Sequence, residues 1–247
     1  MKQLTVLAIA GLIAAGAAQA EVLSFTNSTI VPALSSAMAG QSASGNLCAL
    51  SGVCSTALSF NTVAGGKLTV TAADGPDVDT LALVNQSRDS NAGLGVVTGY
   101  AGHTGTFLIV DGDYSLSAPK ETLTLSFAKA VNLSQLYFFP NDRSSYALTH
   151  ELDSFDGFTL SVDGGAAVEY GFGSKGGQPV TLSAPLQGHT FTFGYARKMS
   201  PENYYLAGLS VSAVTPAVPE AGTIWMMGLG FLGLGALGVR RSVTRRG

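Results

Sequence analysis

Apolar and polar residues alternate with a period of two over much of the chain, and this pattern constrains the fold more than any other feature of the sequence. It is clearest in residues 121–140, ETLTLSFAKAVNLSQLYFFP, where three apolar residues alternate with three hydroxyl residues. The apolar set is Leu123, Leu125 and Phe127, and the hydroxyl set is Thr122, Thr124 and Ser126. Because successive side chains of a strand point to opposite faces, the pattern predicts a strand with one buried and one hydroxyl-rich face.

The same alternation recurs in several other segments, separated by Asp-Gly, Gly-Gly and Asn-rich breaks. They are residues 66–73, 155–165, 166–172, 189–196 and 204–214. We therefore predict an all-β fold, an antiparallel β-sandwich or jelly-roll-like domain of about ten short strands within residues 21–214. Residues 26–58 differ because they are small and polar, and they predict a long loop with room for one short helix.

The first twenty residues, MKQLTVLAIAGLIAAGAAQA, have the features of a secretory signal peptide. Lys2 gives a positive start, an apolar run follows, and Ala18-Gln19-Ala20 has the small-residue form of a cleavage site. These features predict cleavage after Ala20, so that Glu21 begins the mature chain. An uncleaved N-terminal helix is the alternative.

A second apolar segment lies near the other end of the chain. Residues 223–239 contain no charge, and at 1.5 Å per residue a helix over Ile224–Val239 spans about 24 Å of a hydrocarbon core of about 30 Å. We predict a transmembrane helix, with Trp225 at the outer interface and a cytoplasmic basic tail over residues 240–247. The arginines of this tail are Arg240, Arg241, Arg245 and Arg246. A buried core helix is the alternative.

The linker before this span, residues 215–222, contains Val218, Pro219 and Glu220. A Pro-Glu pair, an apolar glycine-rich span and a terminal arginine cluster, in this order, resemble the PEP-CTERM sorting signal. The chain departs from that signal at Ala221, which stands where a second proline is usual. The resemblance implies an exported precursor that is anchored in the inner membrane and recognised by an exosortase-type processing enzyme. It also implies a destination at the cell surface or in the extracellular matrix of an exopolysaccharide-producing, biofilm-forming bacterium.

A second resemblance concerns the body of the chain. The segments GLGVVT (93–98), ETLTLSFAKAVNLSQLYF (121–138) and FDGFTLSVDGG (155–165) look like the β-sandwich domain of many exported PEP-CTERM proteins. This resemblance implies a fold and does not imply a biochemical role.

Charge and cysteine content limit the partners of the mature chain. Residues 21–218 hold eight Lys or Arg and fifteen Asp or Glu, a net charge of −7. Nucleic-acid binding is therefore not expected, since it needs a basic surface. Outside the cytoplasm the two cysteines, Cys48 and Cys54, are expected to form a disulfide, and closing this short loop contributes roughly 2 kcal/mol. A metal or redox pair is the alternative, although no histidine lies nearby.

Carboxylates and histidines provide the candidates for catalysis or metal binding. The clustered carboxylates are Asp74, Asp77, Asp79, Asp111, Asp113, Glu151, Asp153, Asp156 and Asp163. They leave calcium binding open, although no stretch has the spacing of an EF-hand loop and aspartate beside glycine commonly forms turns. His103, His150 and His189 are far apart in the sequence, and no G-x-S-x-G motif accompanies them. We therefore assign no catalytic residue, no metal ligand and no cofactor.

Aromatic residues provide a further set of candidates, because exposed rings beside polar groups can bind sugars. The set is Tyr137, Phe138, Phe139, Tyr146, Tyr170, Tyr195, Tyr204 and Tyr205. The alternative is that these rings fill the core. Together, the sequence predicts an exported surface protein that is structural or glycan-interacting and is not an enzyme. An extracellular hydrolase acting on polysaccharide is the alternative, for which two facing carboxylates would be needed.

Overall fold

The structure is a computed structural model of the chain. It describes residues 19–43, 45–47, 52–74, 81–87, 91–101, 107–109, 115–116, 120–140, 156–172, 178–196, 200–201 and 203–215. Residues Ala18–Val214 form one compact unit.

The described residues form strands and one short 3-10 helix, η1 (Pro32–Leu34), which confirms the all-β class. The strands are β1 (Glu21–Ser24), β2 (Gln41–Ser42), β3 (Val53–Ser55), β4 (Ala57–Thr62), β5 (Gly66–Asp74), β6 (Leu81–Gln86), β7 (Leu94–Ala101), β8 (Phe107–Ile109), β9 (Glu121–Pro140), β10 (Asp156–Val162), β11 (Val168–Gly171), β12 (Pro179–Tyr195), β13 (Ser200–Pro201) and β14 (Tyr204–Ala213). All pairings between them are antiparallel except the short pairing of β10 with β13.

Two long strands, β9 and β12, join two layers of a sandwich-like sheet. The first half of β9 pairs with β5 and with the end of β12, and together with β2, β4, β10 and β11 these form the front sheet. The second half of β9 pairs with β14 and with the start of β12. These strands form the back sheet with β1, β3, β6, β7 and β8.

Both long strands change their register between the two layers. In β9 the apolar alternation is interrupted at residues 128–130, where the Lys129 amide donates to the Gly65 carbonyl at 3.0 Å. In β12 the register shifts between Gly188 and Thr190. One carboxylate oxygen of Asp163 accepts the amides of His189 and Thr190, both at 2.8 Å, so this side chain holds the irregularity in place.

The core lies between the two sheets and is formed by the apolar set of each strand. Leu123, Leu125 and Phe127 of β9 are buried in it, whereas Thr122, Thr124 and Ser126 on the other face are only half-buried. The predicted strand and its two faces are therefore confirmed. One cluster of rings, formed by Phe138, Phe158, Phe172, Phe193 and Tyr204, occupies one part of this core.

Within the segment over residues 25–38, Val31 and Leu34 cover part of the outer face of the back sheet, whereas Phe25 packs in the core between the sheets. Leu34 packs there against Tyr137, Phe139 and Ala207. Gln86 fixes the segment to β6, because its side-chain amide donates to the carbonyls of Phe25 and Met38 at 3.2 and 2.6 Å. The predicted short helix corresponds to η1. The prediction of a loop throughout residues 26–58 is wrong, because β2, β3 and the start of β4 lie within it.

Glu21, the residue after the predicted cleavage site, is the first residue of β1. Its carboxylate accepts the amides of Val63 and Ala64 at 2.8 and 2.9 Å, and this caps the turn between β4 and β5. β1 pairs with β14, with Glu21 opposite Val211, so the strands nearest to the two ends of the domain are neighbours.

Candidate functional site

Most of the predicted site residues, those of the sorting and export signals and one of the two cysteines, lie outside the described residues. These are Ala18, Cys48, Val218, Pro219, Glu220, Trp225, Arg240, Arg241, Arg245 and Arg246. Ala20 is described, is exposed and directly precedes β1. Among the described residues, no helix is long and apolar enough to span a bilayer, and the predicted span over 223–239 is outside them.

Cys54 is described at the middle of β3, where it is buried against Leu83 and Val97 on the outer face of the back sheet. The described part of the chain contains no free cysteine. The pairing of Cys54 with Cys48 stays a prediction, since Cys48 lies outside the described residues.

Most of the aromatic candidates that the structure describes belong to the core. Five of them are at most 8% exposed: Tyr137, Phe138, Phe139, Tyr204 and Tyr205. Tyr170 and Tyr195 are half-buried, and the Tyr170 ring stacks on Phe158 with a centroid distance of 5.7 Å. Tyr146 lies outside the described residues. Burial also raises the pKa of Tyr137.

Tyr204 is fully buried at the centre of the ring cluster. Its hydroxyl donates to the Gly194 carbonyl at 2.9 Å, which satisfies the polar group in an apolar environment. Burial, followed by the negative charge of the nearby Glu121, holds the pKa of this phenol well above its ordinary value. The residue is therefore a neutral structural hydrogen-bond donor at physiological pH.

Alkaline pH is expected to weaken the fold through Tyr204. In the unfolded chain the phenol ionises near pH 10, whereas in the folded chain the raised pKa keeps it protonated. The contribution of the Tyr204 phenol to the free energy of unfolding is complete below about pH 10. It is lost as pH rises further, because only the unfolded state then releases the proton. Urea unfolding of wild type and Tyr204→Phe between pH 8 and 11 measures this. Wild type should lose stability more steeply than Tyr204→Phe, and equal slopes would contradict the assignment.

Three of the described carboxylates hold backbone groups or are buried. Asp163 and Glu21 each accept two backbone amides. Asp74 lies opposite Glu121 across β5 and β9, and Glu121 is buried. No group of three or more metal-ligating side chains occurs within the described ranges. Asp77, Asp79, Asp111, Asp113, Glu151 and Asp153 lie outside these ranges, and so does the side chain of Asp156.

Of the three histidine candidates, His189 alone lies among the described residues. His189 is exposed on β12, and its backbone amide donates to Asp163. His103 and His150 lie outside the described residues.

The most regular surface of the described domain is the outer face of the front sheet, which we call the hydroxyl face. It consists of Ser59, Thr69, Thr71, Thr122, Thr124, Ser126, Thr159, Ser161, Thr190 and Thr192. These residues lie opposite the buried apolar set of β4, β5, β9, β10 and β12, because side chains alternate between the two faces of a strand.

Strand register aligns the hydroxyl face into rows that run across the sheet. Ser59, Thr69, Ser126 and Thr190 form the first row. Thr71, Thr124, Thr192 and Ser161 form the second row. In a third row, Thr122 and Thr159 flank Gly194, where an added Cβ would lie only 2.8 Å from the Thr159 hydroxyl oxygen.

The hydroxyl face is uncharged and accessible. All of its residues are half-buried or exposed, whereas part of the outer face of the back sheet is covered by the chain's own segment 25–38. Lys67 and Glu169 share its outward orientation and lie at its margins, and the exposed Asp163 lies beside Thr190, whose amide donates to the Asp163 carboxylate. Thr124 and Thr192 share a hydrogen bond at 3.1 Å. Within the described structure, the hydroxyls of Thr69, Thr71 and Thr122 have no partner.

The sequence contains a signal for this face, but the pattern within one strand does not show that hydroxyl residues of different strands lie side by side. The hydroxyl residues occur two apart in LTVT, ETLTLS, FTLS and HTFTF, each on a separate strand. Their lateral alignment depends on strand order and register, which join β5 to β9 and β9 to β12 across long separations in sequence.

Comparison with known proteins gives one match to a family model and one similar solved structure. Residues 217–242 match the model of the PEP-CTERM protein-sorting motif. No curated protein matches the chain. A solved structure of the family 32 CBM from C. perfringens NanJ, in complex with galactose, is similar at 12% identity and a TM-score of 0.29. The aligned part covers 59% of this chain and 93% of the solved chain. A likeness this distant does not bear on the ligand of the present protein.

The matched residues 217–242 contain Pro219, Glu220, the predicted span and the first arginines of the tail. The order of these features and the family model agree, and the motif implies an exported, membrane-transiting precursor. The chain is therefore identified as one that carries a PEP-CTERM protein-sorting motif.

Proposed function

We propose that this protein is exported, processed at its sorting motif by an exosortase-type enzyme, and placed at the cell surface or in an exopolysaccharide matrix. Its role there is structural or glycan-interacting. The observation that carries the proposal is the sorting motif at residues 217–242, in a chain whose other end has the features of a signal peptide. The proposal includes no catalytic step and no cofactor.

Orientation in the membrane follows from the two ends of the sequence. A cleaved leader would place Glu21 outside the cytoplasm, and the positive-inside rule would place the basic tail, with Arg240 and Arg241, inside. The described domain begins at β1 and ends at β14, so its body would lie wholly on the outer side. β14 ends at Ala213, so only residues 214–216 separate the domain from the matched motif.

Mapping the C-terminus of the secreted product tests the proposal. We expect mass spectrometry to recover a C-terminal peptide that ends near Pro219, because processing removes the span and the basic tail. Replacing Pro219 and Glu220 with alanine should leave the full-length chain in the membrane fraction. Pro216→Ala, outside the matched residues, is the matched control and should be processed normally. A secreted product that still ends at Gly247 would contradict the proposal.

A further inference from the structure

We propose that the hydroxyl face binds neutral polysaccharide chains. This inference rests on the proposed function and deepens it, since it assigns the glycan contact to one surface and one chemical class of ligand. The evidence is the regular lateral alignment of serine and threonine side chains on five neighbouring strands, β4, β5, β9, β12 and β10.

The spacing of the hydroxyl groups suits a repeating polymer. Neighbouring strands lie about 4.8 Å apart, and side chains on one face of a strand repeat every 6.6–6.8 Å or so. Rows such as Thr71, Thr124, Thr192 and Ser161 therefore present hydroxyl groups repeatedly in two directions. A ligand with one isolated polar group would use a small part of this face, whereas a chain of sugars would use many rows.

The chemistry of threonine matches that of a sugar. Each threonine offers a hydroxyl that both donates and accepts a hydrogen bond, next to a methyl group. A neutral sugar ring likewise carries hydroxyl groups around an apolar face of C–H bonds. The hydroxyls of Thr69, Thr71 and Thr122 have no partner among the described residues, so a ligand can use them without breaking a protein hydrogen bond.

Charge selects a neutral polymer over an anionic one. The hydroxyl face has no cation among its residues, and residues 21–218 carry a net charge of −7, so a polyanionic glycan would be repelled. The contact should also be insensitive to salt, because screening acts on charges. Each exchanged hydrogen bond contributes little to the affinity, and useful binding therefore requires contact with many sugars of one polymer.

Retention of the full chain, purified in mild detergent, on insoluble polysaccharides tests the inference. The neutral probes are cellulose, insoluble β-1,3-glucan, mannan and cross-linked dextran, and the anionic probe is polygalacturonate. We expect retention on at least one neutral polymer that is unchanged between 0.05 and 1 M NaCl. The triple variant Thr69→Val, Thr71→Val, Thr124→Val should lower retention by about tenfold, because it removes hydroxyls but keeps β-branched side chains.

The matched control is Thr181→Val with Ser183→Ala, which removes two exposed hydroxyls from the first part of β12, outside the front sheet. It should be retained like wild type. If the triple variant has a lowered melting temperature, Thr71→Lys replaces it, because Thr71 is exposed and the long side chain obstructs neighbouring hydroxyls.

Several results would overturn the inference. No retention on any neutral polymer, or retention on polygalacturonate alone that salt abolishes, would exclude this ligand class. Equal retention of wild type and hydroxyl-face variants would show that the glycan contact lies on another surface, and the proposed function would still stand. Self-association that the variants abolish, without retention on glycan, would make the face an interface between copies. Failure of the sorting proposal can be distinguished from failure of this inference, because mass spectrometry of the C-terminus tests processing independently of glycan binding.

Discussion

Replacing Phe138 with alanine is expected to lower the free energy of unfolding by about 3–5 kcal/mol, one of the two largest losses that we predict for a single substitution. Phe138 is 1% exposed and belongs to the second half of β9. Its ring centroid lies 4.6 Å from that of Phe158, 5.0 Å from Phe172 and 5.3 Å from Tyr204. The substitution removes the ring that all these side chains contact, and close-packed neighbours can only partly fill the cavity.

Chemical denaturation with urea measures the effect, and Phe138→Leu is the control that keeps most of the apolar volume. We expect the leucine variant to lose clearly less than the alanine variant, because it leaves a smaller cavity. Tyr170→Ala provides a second comparison, since this ring stacks on Phe158 from a half-buried position. A loss below about 1 kcal/mol for Phe138→Ala would mean that the ring cluster is not the centre of the core.

The strands were predictable from sequence wherever alternation extends over several residues. The alternation in residues 121–127 predicted a strand and its two faces, and these residues form the first half of β9. β3 was not predictable, because Val53–Ser55 is too short to show a period of two and pairs with β6 through contacts distant in sequence. Local pattern thus predicts elements whose own residues define a face, and it misses short strands that long-range pairing creates.

Burial of the aromatic candidates shows a second limit of local pattern. Alternation places Phe138 in the core, and the same logic places Tyr137 and Phe139 on the outer face of the back sheet. They are nevertheless buried, because η1 brings Leu34 against them and Gln86 fixes the covering segment from β6. A covering segment more than a hundred residues away in the sequence gives no signal beside these rings, so they resembled surface aromatics.

For the hydroxyl face, the sequence predicted which residues of a strand point outward, but it did not predict how the strands place these residues side by side. Thr122, Thr124 and Ser126 were predicted to share the outer face of one strand, which the structure confirms. Nothing in that strand indicates that Thr124 lies beside Thr192, at 3.1 Å between their hydroxyl oxygens, or that Thr71 lies beside Thr124 on the other side. Strand order determines whether such residues form a continuous surface, and strand order depends on the packing of the whole core.

Gly93→Ala is expected to lower the free energy of unfolding by about 2–4 kcal/mol, since it combines backbone strain with overpacking against main chain. Gly93 has a φ of 153° and immediately precedes β7. An added Cβ would lie 2.4 Å from the Leu206 carbonyl oxygen and 2.8 Å from the Ala207 Cα. These are backbone atoms of β14, so relief requires a shift of one strand against the other, at the point where Leu94 pairs with Leu206.

Gly164→Ala is the matched control for this prediction. Gly164 has a φ of 73°, so alanine is strained there as well, but no atom lies within 4 Å of the added Cβ. We expect this control to lose only about 1–2 kcal/mol, the cost of a left-handed conformation for a residue with a side chain. The difference between the two variants in urea denaturation therefore measures the close approach of β7 and β14. Equal losses would show that the approach is relaxed in solution, and that β14 is held by β9 and β1 without a tight contact at Gly93.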